Sequence, residues 1–369
     1  MNHDYPYRCW AEIDAAALRH NATVLRERVG PGVALLAVVK ANAYGHGLVP
    51  VVQTLAAHVQ LFGVANLEEA IAVREILPHP IIILGPALPG ERVEIVARGF
   101  VATVSSLAEA EDFVRLGGTK KQVPICFKID TGMGRMGVPE SEAVALFRQV
   151  SELPHLTIHS VSTHLPVSNE DEHFTRAQLE RFSTLVQRLR REVPGHYKVH
   201  ALQTVGVLAF SAEPYDIVRP GILYYGLSPL PEFQHLLRPA MTWKTRVILI
   251  RDMPAGHGIS YGRSFITSQP TRVATLSAGY ADGYPRHLSN RDASVLVRGQ
   301  RCPLLGRVTM DLMAIDVTKV PEAQVGDEVV LMGRQGEAEI GCHELAERAD
   351  TILWEITTRI GARVRRVLV

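Results

Sequence analysis

Apolar runs alternate with amphipathic segments over the first two-thirds of the chain. The first amphipathic segment starts at Asp14, a residue type that caps helices, and ends before Gly30, a residue type that stops them. The run 33–40 is apolar up to its final lysine, which predicts a strand buried on both faces. The longest predicted helix covers 170–193. This alternation predicts an α/β fold.

Eight strand-like runs can be counted in this region, separated for the most part by helical segments: 33–40, 61–65, 80–85, 100–105, 123–130, 156–164, 197–202 and 216–218. Eight strands alternating with helices over roughly 220 residues predict a (β/α)8 TIM-type barrel. A doubly wound open sheet is the alternative. It is disfavoured because no Gly-x-Gly-x-x-Gly turn follows the first strand.

The texture of the sequence changes after about residue 235. Short β-type runs split by glycine, proline and aspartate predict a C-terminal mostly-β domain. We place the boundary near the stretch 228–239, which has three prolines. The predicted domains are a barrel over 12–232 and a β domain over 233–369 that also takes in residues 1–11.

The composition favours a small-molecule substrate. The 369 residues include 47% hydrophobic and 21% charged residues and carry a formal net charge of +1. Such a balance is typical of a globular protein and offers no concentrated basic face for a nucleic acid or an anionic membrane. We therefore predict neither of those partners.

The cysteines and histidines form no recognisable metal or redox motif. Cys9, Cys126, Cys302 and Cys342 lie far apart, and the histidines show no His-Glu-x-x-His spacing. We expect reduced thiols and no bound metal. The N-terminal residues have no apolar core of signal-peptide length, and no run approaches the ~18–20 apolar residues of a membrane span. The sequence therefore predicts a cytoplasmic protein.

Candidate chemistry lies at the ends of the predicted strands, because barrel enzymes build their active sites there. The first strand ends at Lys40, the sixth at His164 and the eighth at Arg219, and the last two loops of a barrel often hold phosphate. A desolvated lysine is a nucleophile for carbonyl compounds, so pyridoxal phosphate is the leading candidate ligand. A surface lysine with a buried stem is the alternative for any lone strand-end lysine.

Six motifs then follow one another along the chain: AVVKANAYGHG from residue 37, FKIDTGMGRMG from 127, STH from 162, VRPGILYYG from 218, GISYGRSF from 258 and GRVTMD from 306. In this order they resemble the alanine racemase family, fold-type III enzymes that use pyridoxal phosphate. The resemblance covers essentially the whole chain. The Lys-Ala-Asn-Ala-Tyr-Gly-His-Gly element is highly specific, and the ordered set is more so.

The resemblance implies a cofactor bound to a lysine. Lys40 would form a Schiff base with pyridoxal phosphate, and Arg219 would face the pyridine nitrogen. The phosphate would be contacted by Tyr44, Thr204, Gly221, Ile222 and Trp354. Because arginine keeps its proton, the ring nitrogen would stay unprotonated and the cofactor would be a weaker electron sink, which favours return of the proton to Cα.

The resemblance also implies two bases, one on each face of the substrate. Lys40 would serve D-alanine and Tyr261 would serve L-alanine, with His164 beside the tyrosine and Arg219 beyond it. In this family the tyrosine reaches the neighbouring subunit's barrel. The chain would therefore form a head-to-tail homodimer with two composite active sites, and D-alanine would supply cell-wall peptidoglycan.

Five further residues receive roles from the resemblance. Arg135 and the backbone N–H of Met310 would bind the substrate carboxylate. Lys128 falls at a position that is carbamylated in the family, and a carbamate would orient Arg135 where a cationic lysine would repel it. Chloride or a bound carboxylate could take that place. His200 would support Arg219, and Asp311 would lie near the two bases.

Three positions depart from the family pattern. Gln203-Thr204 stands in place of Asn-Ser, Thr309 in place of Cys, and Trp354-Glu355 in place of Tyr-Glu. Thr204 keeps a hydroxyl for the phosphate. The indole of Trp354 can donate a hydrogen bond, but its ring is larger than that of tyrosine. The sequence therefore allows two substrate pockets, a narrow one that accepts only alanine and a wider one that also accepts serine.

Three alternatives to alanine racemisation remain open from the sequence. The first is a racemase of serine or of broader amino-acid specificity on the same scaffold. The second is a non-catalytic pyridoxal-phosphate carrier, which would need neither a second domain nor Tyr261. The third is a decarboxylase of similar architecture, for which we expect a carboxylate rather than Arg219 at the pyridine nitrogen.

Overall fold

The computed structural model describes residues 7–119, 122–211 and 214–369. These residues form two compact units. The barrel unit contains Leu18–Ala43 and Val51–Arg238, and the β unit contains the described residues up to Ala17, the segment Tyr44–Pro50 and Pro239–Val369. Residues 1–6, which we predicted to join the β domain, lie outside the described part of the chain.

The barrel unit is built on eight parallel strands. In chain order, the first to eighth barrel strands are Ala34–Val38, Leu61–Val64, Ile81–Pro86, Val101–Val104, Val123–Asp130, Leu156–Ser162, Lys198–His200 and Ile217–Val218. From the first to the seventh, each strand pairs in parallel with the next, and the eighth pairs with the first. Between the seventh and eighth strands, Asp216 N donates to Val199 O at 2.9 Å, and Arg219 N donates to Leu202 O at 2.9 Å. The predicted barrel is thus confirmed.

Helices connect the barrel strands, as the alternating pattern predicted. The helix Ala15–Val29 starts where predicted, because the Asp14 carboxylate accepts a hydrogen bond from Ala17 N at 2.9 Å. It is followed by Gly30, whose φ of 77° suits glycine. The other helices of the barrel region are Leu48–Leu55, Leu67–Ile76, Arg92–Arg98, Leu107–Gly117, Ala143–Ser151, Glu172–Glu192 and Thr204–Ala209, with 3₁₀ turns at Pro89–Glu91, Ile222–Tyr225 and Pro231–Leu236.

The β unit is centred on a nine-stranded sheet. From one end to the other its strands are Ala338–Ile340, Glu328–Gln335, Ser294–Val297, Gln300–Leu305, Met313–Asp316, Thr271–Leu276, Met241–Met253, Cys9–Ile13 and Arg365–Leu368. All neighbours are antiparallel except the last pair. A hairpin of Gly258–Ile259 and Phe265–Ile266, two short helices, Cys342–Ala349 and Leu353–Thr358, and 3₁₀ turns at Tyr261–Arg263, Tyr280–Asp282 and Arg286–Leu288 complete it. The predicted mostly-β domain is confirmed.

The barrel strands are apolar because they are enclosed on both faces. Leu35, Phe62, Ile82 and Phe127 have no exposed surface. Burying a polar side chain inside this unit therefore costs free energy unless the side chain forms hydrogen bonds. Polar groups at the strand ends are for this reason candidates for a functional site. Among the residues described, no helix combines the length and the apolar character that a membrane crossing requires.

Candidate active site

Lys40 stands two residues beyond the first barrel strand and begins a turn of unusual hand. Ala41, Asn42, Ala43 and Tyr44 have φ values of 52°, 55°, 53° and 51°, which makes one turn of left-handed helix without a glycine. A left-handed conformation costs about 1–2 kcal/mol for each such residue. The surrounding structure must hold the turn in place, which is a feature of functional sites.

The amine of Lys40 is easier to deprotonate than that of an ordinary lysine. Its pKa is lowered by desolvation, then by the charge of Arg135, and more weakly by Arg219, while Glu69 opposes the shift. Lys40 is exposed by surface area in the isolated chain, yet its amine lies among these protein charges. The shift increases the fraction of neutral, nucleophilic amine at neutral pH.

Arg219 is a buried donor with one N–H left over. It is 6% exposed, and its terminal nitrogen donates to the backbone oxygens of Thr163 at 2.6 Å and Ala201 at 3.0 Å. Its Nε is buried without a hydrogen-bond partner among the described residues. Burial lowers the pKa of Arg219 to about 10, which leaves the guanidinium charged at neutral pH. A buried donor of this kind is suited to an acceptor on a ligand.

Lys128 lies inside the barrel, where burial disfavours a charged side chain. It is 6% exposed, and its pKa is held well below the usual lysine value, first by desolvation and then by the charge of Arg219. A neutral amine does not repel Arg135 as an ammonium would. It is also the form of lysine that can add to carbon dioxide.

The two predicted histidines are both neutral. Desolvation, then the charge of Arg219, lowers the pKa of His164 to about 2, and the same two causes hold that of His200 well below the usual value. His200 Nε2 lies 3.2 Å from Ser160 Oγ and 3.6 Å from Cys126 Sγ. No hydrogen bond joins His200 to Arg219 within the described ranges, and their interaction is the effect of the Arg219 charge on the pKa of His200.

The segment after the seventh strand explains one departure from the family pattern. The Gln203 side chain accepts from Val205 N at 2.6 Å and donates to Ser168 Oγ at 2.7 Å, so it caps the helix Thr204–Ala209. Thr204 Oγ1 accepts from Gly221 N at 3.2 Å. This bond joins the seventh and eighth strand ends and leaves the Thr204 hydroxyl proton available to a ligand.

Arg135 lies on a glycine-rich loop that Asp130 holds in shape. Asp130 Oδ1 accepts from the backbone nitrogens of Gly132 at 3.0 Å and Met133 at 2.8 Å, and Oδ2 accepts from Gly134 N at 2.9 Å. Arg135 itself is exposed. Its charge reaches Lys40, Lys128 and His164, whose pKa values it lowers. These barrel residues therefore form one electrostatically coupled group, in which Arg135 and Arg219 carry the positive charge that suits an anion.

Tyr261, the predicted second base, belongs to the β unit. It stands at the start of a 3₁₀ turn between Ser260, with a φ of 63°, and Gly262, with a φ of 74°. Its side chain is 72% exposed, which is unusual for a tyrosine, and it lines a cavity of about 520 Å³ together with Arg307. An exposed aromatic residue on a strained turn is a candidate for contact with another molecule.

Met310 and Asp311 lie on a tight turn that Thr309 closes. Thr309 Oγ1 donates to Leu312 O at 2.7 Å, which gives the second departure from the family pattern a structural role. Met310 is 54% exposed, and Asp311 Oδ1 accepts from an Arg363 terminal nitrogen at 2.8 Å. The turn therefore exposes Met310, with Asp311 already paired.

Two of the residues that we predicted to contact the phosphate belong to the β unit rather than to the barrel unit. Tyr44 is buried in the segment Tyr44–Pro50, where Gly45 O accepts from Arg366 Nε at 2.8 Å. Trp354 is half-buried in the helix Leu353–Thr358. Their contacts with a phosphate stay predictions.

Sequence reasoning missed the residues that position the reactive ones. Asp130 precedes Thr-Gly-Met-Gly, a pattern typical of aspartate-stabilised turns, which could have revealed it. Gln178 is fully buried and donates to Thr131 Oγ1 at 2.7 Å and to His164 O at 3.0 Å. It offered no signal, because an amphipathic helix gives no reason to single out one glutamine.

The fold and these residues define a class of enzyme. A TIM-type barrel that presents a lysine of lowered pKa beside a buried arginine with an unpartnered N–H is suited to holding a carbonyl cofactor on that lysine.

Comparison with known proteins identifies the family. The alanine racemase N-terminal domain matches residues 13–229, and the alanine racemase C-terminal domain matches residues 240–368. An alanine racemase of Halothermothrix orenii is 40% identical over 375 residues, which cover 99% of this chain and 98% of that protein. The chain therefore belongs to the alanine racemase family and is an amino-acid racemase, an isomerase.

Two solved structures extend the likeness to the fold. The alanine racemase of Bacillus anthracis with bound L-Ala-P is 32% identical and superposes with a TM-score of 0.91, covering 100% of this chain and 96% of that one. The alanine racemase of Bartonella henselae with covalently bound pyridoxal phosphate is 29% identical, with a TM-score of 0.89 and coverage of 99% and 100%. The family depends on pyridoxal phosphate, and the unpartnered Arg219 Nε, the Thr204 hydroxyl and the Lys40 amine fit that cofactor.

Proposed function

We propose that this chain interconverts L-alanine and D-alanine, with Lys40 and Tyr261 as the bases on opposite faces of the substrate. One observation carries the proposal: in the barrel unit, a strand-end lysine of lowered pKa accompanies a buried arginine that keeps one N–H free. Pyridoxal phosphate, when bound, withdraws electrons from Cα of the amino acid and so acidifies its Cα–H bond.

The residues of the barrel unit supply distinct contacts for the cofactor. Lys40 would hold it through its amine, and Arg219 Nε–H, which has no other partner among the described residues, would donate to its ring nitrogen. The Thr204 hydroxyl, together with the backbone N–H groups of Gly221 and Ile222, receives the phosphate; the Gly221 N–H is shared with Thr204. Tyr44 and Trp354 complete the phosphate contacts.

Arg219 restricts the reaction to racemisation. Its pKa of about 10 keeps it protonated at neutral pH, so it donates to the ring nitrogen and gives up no proton to it. An arginine that keeps its proton would leave the ring nitrogen unprotonated and so would moderate the withdrawal of electrons from Cα. Prompt return of the proton to Cα is then favoured over loss of carbon dioxide or transfer of the amino group.

Two bases explain how the configuration at Cα is inverted. In the D-to-L direction, Lys40 removes the proton from one face of Cα and the Tyr261 hydroxyl delivers a proton to the other face. In the L-to-D direction, Tyr261 removes the proton and the protonated Lys40 delivers one. His164 is neutral, so its ring nitrogen can accept a hydrogen bond from the Tyr261 hydroxyl. We propose that this tyrosine comes from a second copy of the chain, in a homodimer with two composite sites.

Arg135 and the Met310 backbone N–H bind the substrate carboxylate in this proposal. Arg135 is exposed on a loop fixed by Asp130, and Met310 lies on the turn closed by Thr309. Lys128 orients Arg135 once its neutral amine has added to carbon dioxide and released a proton, which leaves a carbamate. We further propose that the enzyme works in the cytoplasm and supplies D-alanine for peptidoglycan.

The decisive test is the visible spectrum of the purified protein with pyridoxal phosphate, followed by deuterium incorporation at Cα of L-alanine and L-serine. We expect an absorbance band from the cofactor bound to lysine, and exchange with inversion of alanine. A protein that takes up the cofactor but inverts neither amino acid contradicts the proposal.

Serine is the second candidate substrate, because Trp354 replaces the tyrosine typical of the family. The same deuterium experiment separates the two candidates. Faster exchange and inversion of serine than of alanine would show that the indole has opened the pocket, whereas exchange restricted to alanine would show that the larger ring excludes the hydroxymethyl group.

A further inference from the structure

Glu69 joins two backbone segments at the end of the barrel that carries Lys40. It lies in the first turn of the helix Leu67–Ile76, which Asn66 caps. Its Oε1 accepts from Ala41 N at 2.7 Å, and its Oε2 accepts from Ala65 N at 2.8 Å. Both carboxylate oxygens therefore hold main-chain N–H groups, one of them on the residue directly after Lys40.

A second helix of the barrel shows what Glu69 adds to ordinary capping. In the helix Leu107–Gly117, Glu109 follows the cap Ser106 at the same spacing and accepts from Ser105 N at 2.7 Å, as Glu69 does from Ala65 N. The other oxygen of Glu109 lies 3.9 Å from Arg92, a side-chain ion pair. Only the Glu69 carboxylate, of these two, reaches the lysine turn.

The turn that Glu69 contacts is unfavourable in free energy without support from other residues. Its residues have left-handed φ values, and a free chain without glycine avoids that conformation. Within the turn, Ala43 N donates to Val39 O at 2.8 Å, which fixes its far side. The bond from Ala41 N to Glu69 fixes its near side, beside Lys40.

We propose that Glu69 is a positioning residue: by clamping Ala41 N and Ala65 N, its carboxylate fixes the left-handed turn so that Lys40 meets the substrate face from which D-alanine loses its proton. The inference rests on the proposed function for its catalytic readout. It predicts that loss of the clamp harms proton transfer by Lys40 more than proton transfer by Tyr261.

The charges around Lys40 add a second, independent consequence. Arg135 and Arg219 favour its neutral form, His164 faces it without charge, and Glu69 is the anion that opposes them. Replacing the Glu69 carboxylate by an amide therefore lowers the pKa of Lys40 further. The amide also places a donor against one of the two backbone N–H groups, which breaks the clamp.

The test compares Glu69→Gln and Glu69→Asp with the control Glu109→Gln. The control loses the matching helix-start contact but does not touch the lysine turn. Deuterium exchange at Cα is measured for D-alanine and L-alanine with each full-length, cofactor-loaded variant. We expect the ratio of the D-alanine rate to the L-alanine rate to fall on the order of tenfold or more in Glu69→Gln and to stay unchanged in Glu109→Gln.

A second readout does not need the reaction. Lys40 of the full-length, cofactor-free chain is methylated with formaldehyde and cyanoborohydride at increasing pH, and its labelling is followed by peptide mass spectrometry. We expect the midpoint pH of labelling to fall in Glu69→Gln. In Glu69→Asp we expect it to stay near the wild-type value, because the charge is kept. The shorter aspartate cannot span both N–H groups, so its exchange ratio should still fall.

Each outcome of these measurements supports or overturns the positioning role of Glu69. An unchanged exchange ratio in folded Glu69→Gln overturns the positioning role, and full recovery of the ratio in Glu69→Asp shows that charge rather than the clamp matters. If the wild-type chain exchanges neither enantiomer, the proposed function fails and the labelling decides alone. In that case, identical Lys40 labelling profiles for Glu69→Gln and the wild type reject the inference.

Discussion

Lys40 and Arg219 show how burial and charge prepare side chains for chemistry. Desolvation and the neighbouring Arg135 lower the pKa of Lys40, and a deprotonated lysine is the form that attacks a carbonyl group. Arg219 is also desolvated, yet its pKa of about 10 leaves it charged at neutral pH. The same environment thus increases the neutral, nucleophilic fraction of Lys40 and leaves Arg219 a charged donor.

Replacing Lys40 tests the attachment point. In Lys40→Ala we expect no absorbance band from lysine-bound cofactor, and no cofactor fixed to the protein after borohydride reduction, because the amine is gone. The control Lys198→Ala removes an exposed strand lysine and should retain both signals. Cofactor that is still reduced onto the Lys40→Ala chain would mean that another lysine holds it.

Tyr261→Phe tests the assignment of faces. Without the hydroxyl, proton exchange at Cα of L-alanine should fall by about 10²-fold or more, while exchange of D-alanine continues through Lys40. The side chain is 72% exposed, so no packing is lost and folding should not change. Tyr7→Phe, at an exposed tyrosine of the same unit, serves as the control. Equal losses for both enantiomers would contradict the two-base proposal.

The loops and turns place these residues more than the strands do. Arg135 depends on the loop that Asp130 holds, and Met310 on the turn that Thr309 closes. The latter turn is fixed against a second loop, because Tyr280 N donates to Thr309 O at 3.0 Å. Close approach of the two loops requires a glycine at position 279.

Gly279→Ala should therefore disturb substrate binding from a distance. The added Cβ would lie 2.3 Å from Thr309 O and 2.4 Å from Met310 O, so the turn must move. We expect a loss of about 1–3 kcal/mol in the free energy of unfolding, measured by urea denaturation, and a raised KM for alanine. Gly32→Ala, where the added atom meets nothing within 4 Å, should change neither quantity. An unchanged KM in folded Gly279→Ala would show that the Met310 N–H does not bind the substrate carboxylate.

The sequence predicted the elements better than their ends and turns. Apolar runs marked all eight barrel strands, and the fifth was predicted at Val123–Asp130, as observed. The sixth was predicted to reach His164 but ends at Ser162, because the polar end of the run leaves the sheet. Glu69 was missed, because its partner Ala41 lies 28 residues away and capping patterns are local.

The division of the chain into two units could not be predicted from local sequence patterns either. The segment Tyr44–Pro50 lies between two elements of the barrel in sequence, yet it groups with the β unit through contacts such as that of Gly45 O with Arg366. The left-handed turn was not foreseen, since alanine and asparagine at positions 41–43 prefer other conformations. Both features depend on distant residues.

The proposed homodimer can be tested by mixing inactive chains. Lys40→Ala and Tyr261→Phe each lack one base, so neither homodimer should racemise alanine. If a site takes Lys40 from one chain and Tyr261 from the other, a mixed dimer has one intact site and one site without either base. Co-refolding equal amounts should restore about a quarter of the wild-type rate, since half of the dimers are mixed. No recovery, with mixed dimers shown by mass spectrometry, would refute composite sites.

The left-handed turn after Lys40 also places the demand for thermal stability in conflict with the demand for catalytic rate. Ala41 is exposed and adopts a left-handed conformation that costs free energy for a residue with a Cβ atom. Selection for thermal stability alone would therefore favour glycine at this position. A protein selected for turnover would keep the alanine if a stiffer turn holds the lysine more firmly. The residue next to the lysine is thus a position at which thermal stability and catalytic rate set opposite demands on the backbone.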